Sequence, residues 1–371
     1  MRVIIDATSL VRKWTGIENY TNNLIVNLIS HIDKSDELII LVRNKIPKSL
    51  KTDKKNIKII MSPFKSQILT EQFWIPFVKK FYKPDVIHFP AFPPPFFLRK
   101  NIIFTVHDAT MWKYPNTLSF KNKIYMKPLS KIGISKAEKI LTVSESSKVE
   151  LIDVFNNIEE KIVNTGISIS NEFKSTGDKQ LNAEVLDKYN INKKYFLTVG
   201  SIEPRKNLMF LIKCFAKFLI ETNDKDIILV ITGRGAWGAK EVVNFISEKN
   251  MESQIILTGY VPEEDLMSLY TQCEFFIFPS LYEGFGLPVL EAMACGSPVI
   301  LANTSSLPEV AGDTGIYFNP HDPEELIKIL KSVYRDKTIK ENLSRNGHKR
   351  SLKFSWVDVV DKVYNEYKKY K

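Results

Sequence analysis

The stretch from Phe275 to Ile300, FFIFPSLYEGFGLPVLEAMACGSPVI, decides the fold. An apolar strand ends at Pro279, a glycine turn runs through Glu283-Gly284-Phe285-Gly286, and Pro288 opens a helix at the position where its missing N–H is tolerated. Another strand follows near 298–301. Backbone N–H groups at the helix start, with the positive end of its dipole, make an anion site suited to phosphate. Gly284 and Gly286 let the backbone come close to such a group. Glu283 before the turn and Glu291 inside the helix are expected to reach the same ligand. Carboxylates are poor partners for phosphate and good acceptors for the hydroxyls of a ribose or a hexose. The purely structural alternative for Glu291 is an acid near a helix N-terminus that stabilises the dipole.

Outward from this segment, short apolar runs alternate with stretches of helical period, the pattern of βα units that build a parallel sheet. The first half reads as strands at 2–6, 38–42, 57–61, 86–89, 102–106 and 139–143. The second half reads as strands at 195–200, 227–232, 254–258, 274–278 and 298–301. Two sets imply two sheets and two domains, as the length of 371 residues also suggests. The polar segment 168–194 is the expected linker. Ligands of open parallel sheets sit beyond the carboxyl ends of the strands, so the loops there carry the candidate chemistry.

Residues 1–180 hold 28 basic and 17 acidic side chains, a net charge of +11, whereas residues 181–371 hold 24 and 25. The first half is therefore expected to meet an anionic partner. Cys214, Cys273 and Cys295 lie far apart, with neither zinc nor dithiol spacing, which predicts reduced thiols in the cytosol. No stretch has the ~20 mostly apolar residues that a membrane span needs, and the apolar run after Met1-Arg2 is too short for a secretory signal.

Three further segments follow strands. In Leu197–Leu208, LTVGSIEPRKNL, Arg205-Lys206 is expected to open a helix, where two cations can clamp a diphosphate and neutralise its charge as it departs. In Ile102–Pro115, IIFTVHDATMWKYP, His107-Asp108 follows a strand, and a histidine there can donate to a sugar hydroxyl or stabilise transition-state charge, with Asp108 orienting it. Near the start, Gly16 before a helix allows close approach to a diphosphate.

Together these segments resemble retaining glycosyltransferase family 4, whose members have the GT-B fold: α/β, two Rossmann-like parallel-sheet domains facing a cleft, and a C-terminal helix crossing back. The family's signature is a pair of glutamates with seven residues between them, here Glu283 to Glu291. The resemblance spans most of the chain and is densest from about 195 to 318. It implies an acceptor domain at 1–170, a nucleotide-sugar domain at 190–354, and a helix at 355–371 packing back on the first domain. It assigns Glu283 to the donor sugar, Glu291 to the ribose, and the backbone at Gly284, Phe285, Gly286 and Leu287 to the diphosphate. Arg205 and Lys206 would grip the phosphates, and His107 would stand beside the donor sugar. Many members carry an arginine where this chain has Ser201, and a richer glycine loop where it has Gly16 alone. No cofactor and no metal are expected, and the resemblance is nearest to bacterial mannosyl- and rhamnosyltransferases of surface polysaccharides. GDP-mannose as donor and a lipid-diphosphate-linked saccharide as acceptor follow as expectations; a UDP- or dTDP-sugar donor is the alternative.

Other signals point elsewhere. Gly233-Arg234-Gly235-Ala236-Trp237-Gly238 matches the dinucleotide pattern G-x-G-x-x-G and suggests an NAD-dependent oxidoreductase. The acidic residue that reading requires is absent from the next strand end, Leu257-Thr258-Gly259. The loop reads better as a turn near the nucleotide, with Arg234 touching the donor. Asp224-Lys225-Asp226 imitates a metal-binding D-x-D but precedes its strand. The basic aromatic stretch Ile68–Lys83, ILTEQFWIPFVKKFYK, suggests weak association with an anionic membrane, although Phe73, Phe77 and Phe81 are expected mainly inside the domain. Scattered basic residues without a reading motif argue against nucleic acid. A catalytically dead nucleotide binder would not need all of Glu283, Glu291, Arg205, Lys206 and His107. The expected location is the cytosol, with peripheral association at the inner face of the membrane.

Overall fold

The computed structural model describes residues 1–11, 16–115, 122–170, 172–235 and 238–371, with the backbone only at 122 and 123. It divides into two compact units, residues 1–168 with 355–371, and residues 169–354. The first contains strands β1 (Arg2–Asp6), β2 (Glu37–Val42), β3 (Ile57–Met61), β4 (Val86–Phe89), β5 (Ile102–Thr105), β6 (Lys139–Thr142) and β7 (Ile162–Asn164). They form one parallel sheet in the order β3-β2-β1-β4-β5-β6-β7. The second contains β8 (Lys194–Val199), β9 (Ile227–Thr232), β10 (Ile255–Gly259), β11 (Phe275–Phe278), β12 (Val299–Ala302) and β13 (Ile316–Phe318), also parallel, in the order β10-β9-β8-β11-β12-β13. Each order reverses direction once, beside β1 and beside β8, and such switch points are where doubly wound sheets bind ligands.

Central strands are buried on both faces, which explains their unbroken apolar runs. Phe196, Phe215, Phe218, Phe275, Phe276 and Phe278 fill the core of the second unit. In the first, Ile4, Ile39, Ile87 and Phe104 of the sheet pack with Trp74, Ile75 and Val78.

Several expectations need correction. β7 and β13 were not predicted: each is a three-residue edge strand, too short to show a period. The segment 168–194 contains the helix Lys179–Lys188, capped by Asp178, whose carboxylate accepts from the N–H groups of Gln180 and Leu181. The helix Trp356–Lys368 lies against Gly16–His31 in the first unit, with Asp361 2.8 Å from His31 and the Tyr364 hydroxyl donating to Asp36 at 2.6 Å.

Phe73, Phe77 and Phe81 are exposed, against the expectation of burial. The inward face of this segment is taken by Glu71, Trp74, Ile75 and Val78. Residues Thr70–Trp74 form a π turn, and the continuing helix Ile75–Tyr82 keeps the i, i+4 aromatic stripe outside. Pro76, in the first turn of that helix, does not break it.

Candidate active site

At the carboxyl end of β8 the chain turns through Gly200 and Ser201 and enters a 3-10 turn, Pro204–Lys206. The cations therefore sit in this turn, and not at the start of the α-helix as expected. Asn207, at φ 55°, separates them from the helix Leu208–Thr222. The turn is tied to the loop after β11: the Arg205 carbonyl accepts from the Leu281 N–H at 2.9 Å, and Arg205 Nη1 donates to the Tyr282 carbonyl at 2.5 Å. One loop thus brings its cations to the glutamate of the other.

Glu283 is buried and fully engaged. Its Oε1 accepts from Lys206 Nζ at 2.6 Å and Ser280 Oγ at 2.5 Å, and its Oε2 lies 3.0 Å from Arg205 Nη1. Arg205 Nη2 also meets Glu203 at 2.7 Å. Burial pushes the Glu283 carboxyl up, but the Lys206 and Arg205 charges with the hydrogen bonds of Lys206 and Ser280 outweigh it and hold it below the usual carboxylate range. A buried carboxylate is thus held against the two cations and neutralises part of their charge. An incoming diphosphate can take over those cations and leave Glu283 to accept from a sugar hydroxyl.

The turn that follows is pinned by side chains that sequence reading missed. The Glu283 N–H donates to Ser305 Oγ at 2.9 Å, and Ser306 Oγ donates to the carbonyls of Glu283 and Phe285 at 3.0 and 2.8 Å. Thr304 Oγ1 donates to the Ser280 carbonyl at 2.8 Å. Thr304, Ser305 and Ser306 follow β12, another carboxyl-end loop, and that position was the available signal for them. Phe285 is buried against Phe354, with ring centroids 5.7 Å apart. Gly286 caps the helix Leu287–Ala294 at φ 96°, and a Cβ there would lie 2.8 Å from Leu307. Leu287 is the first helical residue and Pro288 the second, one later than expected.

Glu291 stands one turn further along. Tyr270 donates to its Oε2 at 3.0 Å, and burial pushes the carboxyl up to about 7, the Tyr270 bond opposing. No described contact joins it to the Arg205, Lys206 and Glu283 cluster. Arg234 is exposed and lies over the Tyr260 ring, 4.5 Å from its centroid, away from that cluster's contacts. Gly233 cannot be replaced: a Cβ would lie 1.9 Å from the Gly200 carbonyl oxygen. The protein's own backbone thus accounts for the first glycine of the dinucleotide-like pattern. Ala236 and Trp237 lie outside the described residues. Asp224 pairs with Arg335 at 3.0 Å and accepts from the Asp226 N–H, at the amino-terminal end of β9.

In the first unit, His107 follows β5. Its Nε2 is 2.8 Å from the Pro90 carbonyl, which can only accept, so Nε2 carries the proton and a neutral ring offers Nδ1 as acceptor. Burial lowers its pKa, against the Pro90 bond and the Asp108 charge. The neutral ring is thus set to accept from a hydroxyl, where sequence reading had it donate. Asp108 accepts from the Thr110 N–H at 2.8 Å, so it contributes charge to His107 and not the expected orienting hydrogen bond. Tyr20 packs edge-on against the imidazole at 4.7 Å. Gly16 opens the helix Gly16–His31, where a Cβ would meet nothing within 4 Å among the described residues, so none of these demands glycine there.

Two doubly wound parallel sheets, with a cluster of two cations and a carboxylate on the carboxyl-end loops of the second, have the architecture of the GT-B class. The chain belongs to glycosyltransferase family 4: the profile described as Glycosyltransferase Family 4 matches residues 14–170, and that described as Glycosyl transferases group 1 matches residues 183–350. O-antigen chain mannosyltransferase B of Escherichia coli is 33% identical over 288 residues, covering 77% of this chain and 75% of that protein. The serotype-specific mannosyltransferase WbdA of the same species is 30% identical over 64% of this chain, which spans only 29% of WbdA. HepE of Anabaena, solved with UDP and glucose, superposes over 100% of both chains with a TM-score of 0.74 at 15% identity, a likeness of fold. The chain is a glycosyltransferase of the hexosyltransferase kind.

Proposed function

We propose that this enzyme transfers mannose from GDP-mannose to a lipid-diphosphate-linked saccharide, with retention of anomeric configuration, during assembly of a bacterial O-antigen, capsule or lipopolysaccharide. The observation that carries the reading is the meeting of Arg205, Lys206 and Glu283 within 3.0 Å, four residues before a helix N-terminus. Arg205, Lys206 and the first N–H groups of that helix hold the departing diphosphate and offset the charge it gains. Glu283 accepts from a hydroxyl of the transferred sugar and Glu291 from the ribose, and for His107 the family resemblance implies a role beside the donor sugar, its neutral Nδ1 able to accept from a hydroxyl. The family resemblance favours same-face attack, with the leaving diphosphate taking the acceptor's proton, over a covalent intermediate on Glu283. No metal ion enters this scheme. Mannose is favoured because the Escherichia coli relatives are named mannosyltransferases, and the basic first half suits an anionic acceptor at the inner membrane face.

Calorimetric titration with GDP, UDP, dTDP, ADP and NAD tests the donor class, and transfer of label from GDP-mannose into a lipid fraction, with the product anomer read by NMR, tests the reaction. Tightest binding of GDP and an α-linked product are expected. Preference for UDP or dTDP would move the donor to the alternative class, and binding of NAD alone would overturn the reading.

A further inference from the structure

We propose that the outer face of the helical run from Gln67 to Tyr82, with the loop Phe96–Lys100 beside it, is a docking surface for an anionic lipid bilayer. Phe73, Phe77 and Phe81 are 64%, 66% and 69% exposed, and Phe97 is 79% exposed. Leu69, four residues before Phe73, is 42% exposed. Scattered exposed apolar residues are ordinary, but an aromatic stripe four residues apart on one helix face, joined by a second aromatic loop, marks an interaction surface.

The loop is bonded to the helix. The Phe96 N–H donates to Gln72 Oε1 at 2.9 Å, and Lys79 Nζ donates to the carbonyls of Arg99 and Lys100 at 2.6 and 2.5 Å. Phe77 and Phe81 stack at 6.4 Å, and Phe96 and Phe97 meet edge-on at 5.0 Å, so the rings form two neighbouring clusters.

Charge selects the occupant. Lys80, Lys83, Arg99 and Lys100 are exposed around the rings, and Lys136 Nζ lies 4.8 Å from the Phe96 centroid. From residue 72 to 84 and from 86 to 107 the sequence contains no acid at all, and the intervening Asp85 accepts from the Arg2 backbone N–H; Glu138, which accepts from the Asn101 N–H at 3.0 Å beside Lys79, is outnumbered by these cations. Such a surface repels a second copy of itself. Rings that insert at the headgroup boundary, ringed by cations, fit a bilayer rich in anionic lipid. No helix among the described residues is long and apolar enough to cross a membrane, so the contact is with the bilayer surface.

Co-sedimentation with vesicles tests this independently of sugar transfer. The full chain is expected to bind phosphatidylcholine vesicles that contain phosphatidylglycerol, and to bind pure phosphatidylcholine at least tenfold more weakly. Phe73→Ser with Phe77→Ser and Phe81→Ser should lose binding at least tenfold at both low and high salt. Lys80→Ala with Lys83→Ala should lose roughly fivefold per lysine at low salt and little at high salt. The lysine pair keeps the test decisive should the triple variant fail to fold. Undiminished binding by both variants, or no binding of the wild type at low salt, would overturn the proposal. A dimer in sedimentation velocity that the triple variant dissolves, without vesicle binding, would overturn it in favour of self-association.

Discussion

Replacing Lys206 by alanine removes one of two cations from a buried carboxylate and, on the proposed mechanism, from the donor diphosphate. Lys206 Nζ lies 2.6 Å from Glu283 Oε1 and 5.0 Å from the Phe278 centroid, and the side chain is buried. Glu283 keeps Arg205 at 3.0 Å and Ser280 at 2.5 Å, so the cost to folding should fall short of the ~3–5 kcal/mol of a wholly orphaned buried charge. We expect about 1–3 kcal/mol, read as a drop in Tm of about 2–10 °C. A charge-assisted hydrogen bond to phosphate is worth about 1.5–3 kcal/mol, so the Kd for GDP should rise roughly 10- to 150-fold. Calorimetry with GDP and GMP separates this from general damage, because GMP lacks the second phosphate and should lose much less. Glu283→Gln should shift affinity the opposite way: with the competing carboxylate neutralised, GDP binds more tightly while turnover falls. An unchanged Kd for GDP in Lys206→Ala would refute the phosphate role, whatever the Tm.

Other consequences can be checked singly. Glu291, with its folded pKa raised to about 7 from 4.5, favours folding fully below about pH 4.5 and loses that contribution as pH rises through 7; Glu291→Gln should match the wild type in urea unfolding at acid pH and exceed it by up to about 3 kcal/mol at pH 8. His107→Ala should lower kcat roughly 10²-fold or more in a transfer assay while leaving Tm within a few degrees; wild-type turnover would return His107 to a structural role. Gly233→Ala should cost at least about 3 kcal/mol, seen as loss of soluble protein or a large fall in Tm, because its Cβ would meet a backbone oxygen at 1.9 Å. EDTA should leave the transfer rate unchanged; complete loss that Mg²⁺ restores would reveal a metal requirement.

The longer strands were legible because buried parallel strands are apolar without interruption, and Phe275–Phe278 shows this as plainly as Ile227–Thr232. Ile162–Asn164 and Ile316–Phe318 were not, since three residues at a sheet edge carry no period. Arg205, Lys206 and Glu283 could be named from spacing and resemblance, yet their mutual ion pairs could not, because they depend on two loops 77 residues apart meeting at the Arg205 carbonyl. Ser280, Ser305 and Ser306 escaped notice for a related reason: a serine that pins a turn looks like any polar loop residue until its partner is located. The outward phase of Phe73, Phe77 and Phe81 was not legible because the segment offers two apolar stripes of helical period, and Trp74, Ile75 and Val78 take the inner one.

Hydrogen–deuterium exchange of the whole chain with and without GDP tests the central claim most directly, since a bound diphosphate must engage amides where the cations and the helix start converge. The account predicts slowed exchange concentrated at residues 200–207 and 283–291. Protection absent from both segments at saturating GDP, or confined to 233–235 and 258–260, would contradict it.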